Sequence, residues 1–178
     1  MTPTMKAKRA SLEAIKALRE KTSASLHDVR EALESAGGDE AKAFELLRQR
    51  GALIAQRRHG RTTGQGRIES YIHHNGRLGA LVEVNCETDF VARTPEFLQF
   101  CRDVAMQVAA TNPRYVRAED VPADVRLSAE ERQDACLLEQ PCVKDPKTTV
   151  QALLTSLIAK TGENVVIRRF AMFTVADA

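Results

Sequence analysis

Apolar positions recur at helical spacing in three short blocks at the start of the chain. Leu12, Ile15 and Leu18 follow Ser11, a residue suited to cap a helix, and the pattern gives out near Lys21-Thr22-Ser23. Val29, Ala32 and Leu33 follow Ser25-Leu26-His27-Asp28, which has capping-box form with Asp in place of the usual Glu; Gly37-Gly38 ends that block. Asp39 then opens a helix through Ala43, Phe44 and Leu47 that Gly51 is expected to stop. Helices this short bury little singly, but three together make a small bundle. Residues 51–66, with Arg57, Arg58, His59, Gly60, Arg61, Gly64 and Gly66, read as a helical tail fading into a flexible linker.

Beyond the linker the apolar period changes to two. Ile68, Ser70 and Ile72 alternate with Glu69, Tyr71 and His73, Asn75-Gly76 supplies a tight primed turn, and Leu78, Ala80, Val82 and Val84 share one face of a second strand. Thr94-Pro95-Glu96 starts a helix with Phe97, Cys101, Val104, Ala105 and Val108 on one stripe, closed by Asn112-Pro113. Residues 114–135 are mixed and charged, a short helix with loops. Residues 148–160 place Val150, Leu153, Leu154, Leu157 and Ile158 at helical spacing, and residues 165–175 form a third strand with apolar groups on both faces. The predicted fold is α+β. A three-helix module occupies residues 1–58, and a core domain with a three-stranded antiparallel sheet flanked by helices occupies residues 59–178.

Asn85-Cys86-Glu87-Thr88-Asp89-Phe90-Val91-Ala92-Arg93 joins the second strand to the long helix with almost no slack. A connector this short between two rigid elements holds its side chains firmly. Periodicity alone leaves Phe90 folded over the sheet edge as ordinary core, where most aromatic rings reside.

Only 4% of the residues are aromatic and none is Trp, so the core is built from Leu, Val, Ile and Ala. Charge is uneven: residues 1–61 carry 13 Lys/Arg against 8 Asp/Glu, residues 62–178 carry 13 against 16. The basic end should seek an acidic partner or nucleic acid. A basic nucleic-acid-binding module, using Arg48, Arg50, Arg57, Arg58 and Arg61, is the alternative reading. Against it, no stacking aromatics are interleaved with those arginines. Cys86, Cys101, Cys136 and Cys142 lack zinc-site spacing and disulfide density, and adjacent His73 and His74 point to opposite strand faces, so no metal site is expected. No phosphate loop is present, and Gly64-Gln65-Gly66 lacks the context of a dinucleotide site. Cys86 with His73 or His74 could form a nucleophile pair in a small hydrolase, but a strand Cys is usually inert packing. No catalytic constellation and no cofactor is expected; binding is the business left to the chain. No apolar run reaches bilayer-spanning length, and the first residues are basic without an apolar stretch behind them, so no membrane association and a cytoplasmic location are expected.

Thr88-Asp89-Phe90-Val91-Ala92 after Asn85-Cys86 is similar to the signature of the bacterial elongation factor Ts family, the guanine-nucleotide exchange factors of elongation factor Tu. Leu18-Arg19-Glu20-Lys21-Thr22, Gly37-Gly38-Asp39, Leu46-Leu47-Arg48, Tyr71-Ile72-His73-His74 and Leu81-Val82-Glu83-Val84 also resemble family blocks, as do Leu137-Leu138-Glu139-Gln140-Pro141, Gly162-Glu163-Asn164 and Arg168-Arg169-Phe170. The likeness runs from Leu12 to Phe173. Ser23-Ala24-Ser25-Leu26-His27 departs from the usual Gly-Ala-Gly-Met-Met, Cys142 stands where an aromatic is common, and the stretch between Pro122 and Leu137 is shortened. Long members carry two similar halves of the core domain in one chain, whereas this sequence has one half.

The resemblance implies no enzyme but a factor that binds elongation factor Tu, GDP-bound and nucleotide-free. Its N-terminal module of ubiquitin-associated type docks on the nucleotide-binding domain, through Arg19, Leu26, His27 and Arg30. Its core reaches the phosphate and magnesium region, where Asp89 and Phe90, flanked by Thr88, Val91 and Ala92, carry the insertion. Val29 and Leu33 lie on the inward stripe and hold the helices together. A single core half is expected to pair as a homodimer through the core domain, with residues 163–175 in the contact. No specific nucleic acid is expected as a partner.

Overall fold

The structure, a computed structural model, describes residues 10–22 and 24–175; Ser23 and the first nine residues of the N-terminal module lie outside it. Helices α1 (Leu12–Thr22), α2 (Leu26–Ser35) and α3 (Glu40–Arg58) come first. Each is capped as the sequence suggests: the Ser11, Ser25 and Asp39 side chains accept from the N–H groups of Ala14, Asp28 and Lys42 at 3.1 Å. The box at Ser25 is not reciprocal. Asp28 is one methylene shorter than Glu, and its carboxylate takes the Ser25 hydroxyl instead of the Ser25 backbone N–H. Ile15, Leu18, Val29, Ala32, Leu33, Ala43 and Leu47 close a small core. Leu12 and Phe44, expected on the inward stripes, are exposed, because each projects from its helix away from that core.

Gly51 does not stop α3. The helix runs seven residues further, and a Cβ at Gly51 would stand 3.4 Å from Cβ of Ala159, so the glycine serves close approach of another helix rather than termination. Beyond it, Ile54 and Ala55 pack against a second, larger core. The segment after α3 is also held rather than loose, since the carbonyl of Arg61 accepts from Asn164 Nδ2 at 2.8 Å.

The second core lies beneath an antiparallel sheet of order β1 (Gln65–Ile72), β2 (Leu78–Cys86), β3 (Val165–Thr174). The β1–β2 loop is longer than a two-residue primed turn. Gly76 N–H donates to His73 O at 2.8 Å, and only Gly76 of the loop, at φ 68°, is left-handed. The single turn α4 (Asp89–Ala92) leads into α5 (Pro95–Thr111), with Pro95 in its first turn and Asn112 as a left-handed cap. A short helix, α6 (Ala129–Ala135), with a full capping box between Ser128 and Glu131, precedes α7 (Val150–Thr161). Residues 114–135 thus hold the single α-helix and loops that their mixed composition suggests, with one 3-10 turn at Ala118–Asp120.

Helices α5 and α7 cover the same face of the sheet. Phe97, Cys101, Val104 and Val108 of α5 join Leu154, Leu157 and Ile158 of α7 against Ala80, Val82, Val84, Val165 and Ile167; full burial of one such side chain contributes about 1.5 to 3 kcal/mol. Gln107 is buried with them, and its amide is satisfied by Gln140 Oε1, Pro141 O and Val143 N–H. The opposite face is open: Ile68 and Ile72 are 66% exposed and Phe173 65%. A register shift between Glu83 and Val84 leaves Arg168 as an extra residue on β3, so strict alternation fails there. Val165 and Ile167 face the core before the bulge; Phe170 and Met172 do so after it, while Arg169, Ala171 and Phe173 face outward. Burial on both sides of β3 is therefore not seen in the single chain.

Candidate functional site at the strand–helix junction

Strands β2 and β3 end together at the pair Cys86 and Val165, and the chain then turns into α4. Thr88 is the N-cap, extended at φ −125°, and its hydroxyl accepts from Val91 N–H at 3.4 Å. Val91 is buried in the main core. The Thr94 hydroxyl donates to Val91 O at 2.9 Å, so the end of the turn is fixed as well as its start. Successive helical residues point about 100° apart, so with Val91 and Ala92 toward the core, Phe90, about 200° round from Ala92, points away from it. Phe90 is 80% exposed. The expectation from periodicity that its ring covers the sheet edge is wrong, because the inward direction of this turn belongs to Val91. Asp89 pairs with Arg93 at 2.9 Å, and Ala92 is half-buried beside the core.

Two carboxylates brace the junction from either side. Glu163, in the turn between α7 and β3, accepts from Thr88 N–H at 3.0 Å and from the Thr88 hydroxyl at 2.6 Å. Glu87 accepts from Asn164 N–H at 2.7 Å and pairs with Arg61 at 3.4 Å. The Asn164 N–H, with Arg61 adding to it, holds the Glu87 carboxyl below the usual range.

Cys86 lies beneath this frame, and burial, with Glu163 adding to it, pushes its thiol up to about 11. His73 stands beyond the far end of the hairpin. The register runs from Gln65 opposite Cys86 to Ile72 opposite Gly79, about 23 Å of strand, so a Cys86–histidine nucleophile pair cannot form. Arg48, Arg50 and Arg61 of the basic set pair with Glu45, Glu31 and Glu87, so three of its five cations have a carboxylate partner within the chain. Among the described residues no His/Cys/Asp/Glu group is arranged to hold a metal ion, and no helix is long and apolar enough to cross a membrane.

The N-terminal candidates lie on α1 and α2, away from this junction. Arg19 on α1 and Leu26, His27 and Arg30 on α2 are all exposed, and Leu26 and Arg30 share a face at four-residue spacing. Val29 and Leu33 are fully buried between the helices. The structure thus groups Thr88 to Ala92 at one junction, and does not join the N-terminal four to it.

Sequence comparison decides the lineage: the family model for elongation factor TS matches residues 4–132. The chain belongs to the elongation factor Ts family. It is 46% identical to elongation factor Ts of Carboxydothermus hydrogenoformans, over 92% of this chain and 88% of that one. The corresponding protein of Rubrobacter xylanophilus is 47% identical over 91% and 97%, and that of Caldanaerobacter subterraneus 44% over 92% and 95%. These alignments run to 190 or 191 positions, more than the chain has residues, so these elongation factor Ts relatives carry residues absent here. Glu87, Glu163, Asn164 and Arg61 brace the candidate site in a way that sequence reasoning did not foresee. Glu87 stood in the junction stretch, Arg61 in the basic set and Glu163-Asn164 in a family block, but none of these signals assigned a partner.

Proposed function

We propose that the chain promotes release of GDP from elongation factor Tu, acting in the cytoplasm without bond chemistry of its own. The observation that carries this reading is Phe90, a large apolar ring exposed at 80% on a turn fixed by Val91, Thr88 and Thr94. An aromatic ring held out of the core loses apolar burial of about 1.5 to 3 kcal/mol in the free chain, which it recovers only against a partner. Inserted with Asp89 beside the phosphate and magnesium site of Tu, it displaces groups that stabilise the nucleotide. A factor that binds empty Tu more tightly than GDP-loaded Tu weakens GDP by the same ratio, and about 1.4 kcal/mol of coupling corresponds to tenfold.

Residues 1–58 serve in this reading as the docking module, with Arg19, Leu26, His27 and Arg30 on the nucleotide-binding domain of Tu, and residues 59–178 as the exchange domain. The open sheet face pairs two chains. Ile68, Ile72, Leu81 and Phe173 form an apolar surface there, and two-fold pairing is the commonest way to cover such a face. The test is the release of a labelled GDP from Tu. The full chain accelerates it and Phe90→Ala does not; equal acceleration by both would rule the insertion out.

A further inference from the structure

We infer that Glu163 is a positioning residue for Phe90, holding the exchange turn in its outward orientation through Thr88. The inference rests on the exchange reading above and assigns a role to a residue outside the insertion motif.

A turn of four residues does not hold itself. Its hydrogen bonds barely offset the cost of fixing the first helical turn, so its direction depends on what grips its ends. Beyond the last ladder pair, Cys86 and Val165, the next opposed positions are Glu87 with Asn164 and Thr88 with Glu163. The strands have diverged there, and backbone no longer bonds to backbone. Side chains continue the ladder instead. Glu87 reaches across to the Asn164 N–H at 2.7 Å, and Glu163 reaches back to the Thr88 N–H at 3.0 Å. The two carboxylates thus cross the gap in opposite directions.

Glu163 does more than its counterpart, because its second oxygen accepts the Thr88 hydroxyl at 2.6 Å. That bond fixes where the hydroxyl proton points and leaves an oxygen lone pair for Val91 N–H, the bond that starts the turn. A charged acceptor at this distance is stronger than a neutral one. Glu163 itself is placed by Gly162, the cap of α7, and by its own N–H donating to the Thr161 hydroxyl. No bond of this set involves the N-terminal docking surface.

The role separates from general stability because it predicts which kinetic parameter changes. In the full chain, Glu163→Ala should lower the maximal rate of GDP release at saturating factor by about tenfold or more, the scale of a lost charge-assisted bond. The half-saturating concentration should stay within about twofold, because docking is untouched. Adding Phe90→Ala to Glu163→Ala should cost little more than Phe90→Ala alone, as expected for residues acting as a unit. Glu163→Gln keeps the length and one carbonyl oxygen and should fall between wild type and Ala. Amide exchange gives a readout without Tu: residues 88–92 should lose protection in Glu163→Ala, while residues 78–86 keep theirs.

Wild-type maximal rate in Glu163→Ala, or Glu163→Ala and Phe90→Ala effects that multiply, would overturn the positioning role while leaving the exchange reading intact. Full activity of Phe90→Ala would overturn both. If Glu163→Ala fails to fold, Glu163→Gln decides: unchanged exchange at residues 88–92 together with an unchanged maximal rate overturns the inference.

Discussion

Phe90 and Val91 are neighbours on one helical turn, yet Val91 is buried in the main core and Phe90 projects into solvent. Val91 thereby contributes to stability, and the proposed contact falls to its neighbour in the same motif. Phe90→Ala should change unfolding free energy by less than about 0.5 kcal/mol, as for an exposed site, whereas Val91→Ala should cost about 1 to 3 kcal/mol. Urea denaturation of the two variants measures this. A large loss in Phe90→Ala would mean that the ring packs inward in solution.

Gly51 and Ala159 set the spacing of α3 and α7. Gly51→Ala places a methyl at ordinary contact distance and improves helix propensity, so stability should hold or rise by up to about 1 kcal/mol. Gly51→Leu must push the helices apart and should cost about 1 to 3 kcal/mol. Thermal melts of the pair check the contrast, and similar behaviour of Ala and Leu would refute close packing there.

Leu26 and Arg30 test the proposed docking role of the N-terminal helices. Both are exposed, so Leu26→Ala with Arg30→Ala should leave stability within about 0.5 kcal/mol. The half-saturating concentration for nucleotide release should rise at unchanged maximal rate. A chain starting at Gly66 should lose stability too, because Ile54, Ala55 and the Arg61 carbonyl are bonded into the larger core. A melting temperature equal to that of the full chain would contradict this.

Pairing through the open sheet face predicts a sedimentation mass of twice 19.7 kDa at micromolar concentration. Phe173→Asp together with Ile72→Asp should give single chains, since charges on a buried apolar face are strongly unfavourable. A concentration-independent mass of one chain for the unaltered protein would exclude the pairing.

Burial pushes all four thiols up from an ordinary 9.0, Cys86 and Cys142 to about 11 and Cys101 to about 12. They are neutral and enclosed at pH 8, so alkylation by iodoacetamide should require unfolding. The unfolded chain releases these protons first, so stability is fully present below pH 9 and is lost as pH rises toward 11 to 12. Denaturation midpoints at pH 8, 9 and 10 give the sign. A midpoint rising across that range would show that the thiols are not buried in the folded chain.

Caps and stripes were legible because they are local. Ser11, Ser25, Asp39, Thr94 and Asn112 act where their side-chain chemistry directs, and Val82, Val104 and Leu157 are buried where periodicity puts them. Gly51 misled because a glycine that ends a helix and one that admits a neighbour look alike until the neighbour is known. The bulge at Arg168 was hidden for a related reason: an extra residue changes the parity of a strand without altering its composition. The exposure of Phe90 was legible through family resemblance and not through periodicity, which has no term for a buried Val91 next door. Glu163 and Glu87 lie 76 positions apart, and only pairing of β2 with β3 reveals that they cross.

Helix α3 has one end in each core, with Ala43 in the first and Ile54 against the second. Eleven residues of α-helix measure about 16 Å and turn through about three revolutions. The helix therefore works as a calliper, holding the two cores at a set separation and a set angle. One residue inserted into α3 would lengthen it by only about 1.5 Å but swing one jaw by about 100°. A partner that engages both Phe90 and the exposed face of α2, as proposed, must match that geometry, so the register of α3, which carries none of the proposed contact residues itself, governs the fit.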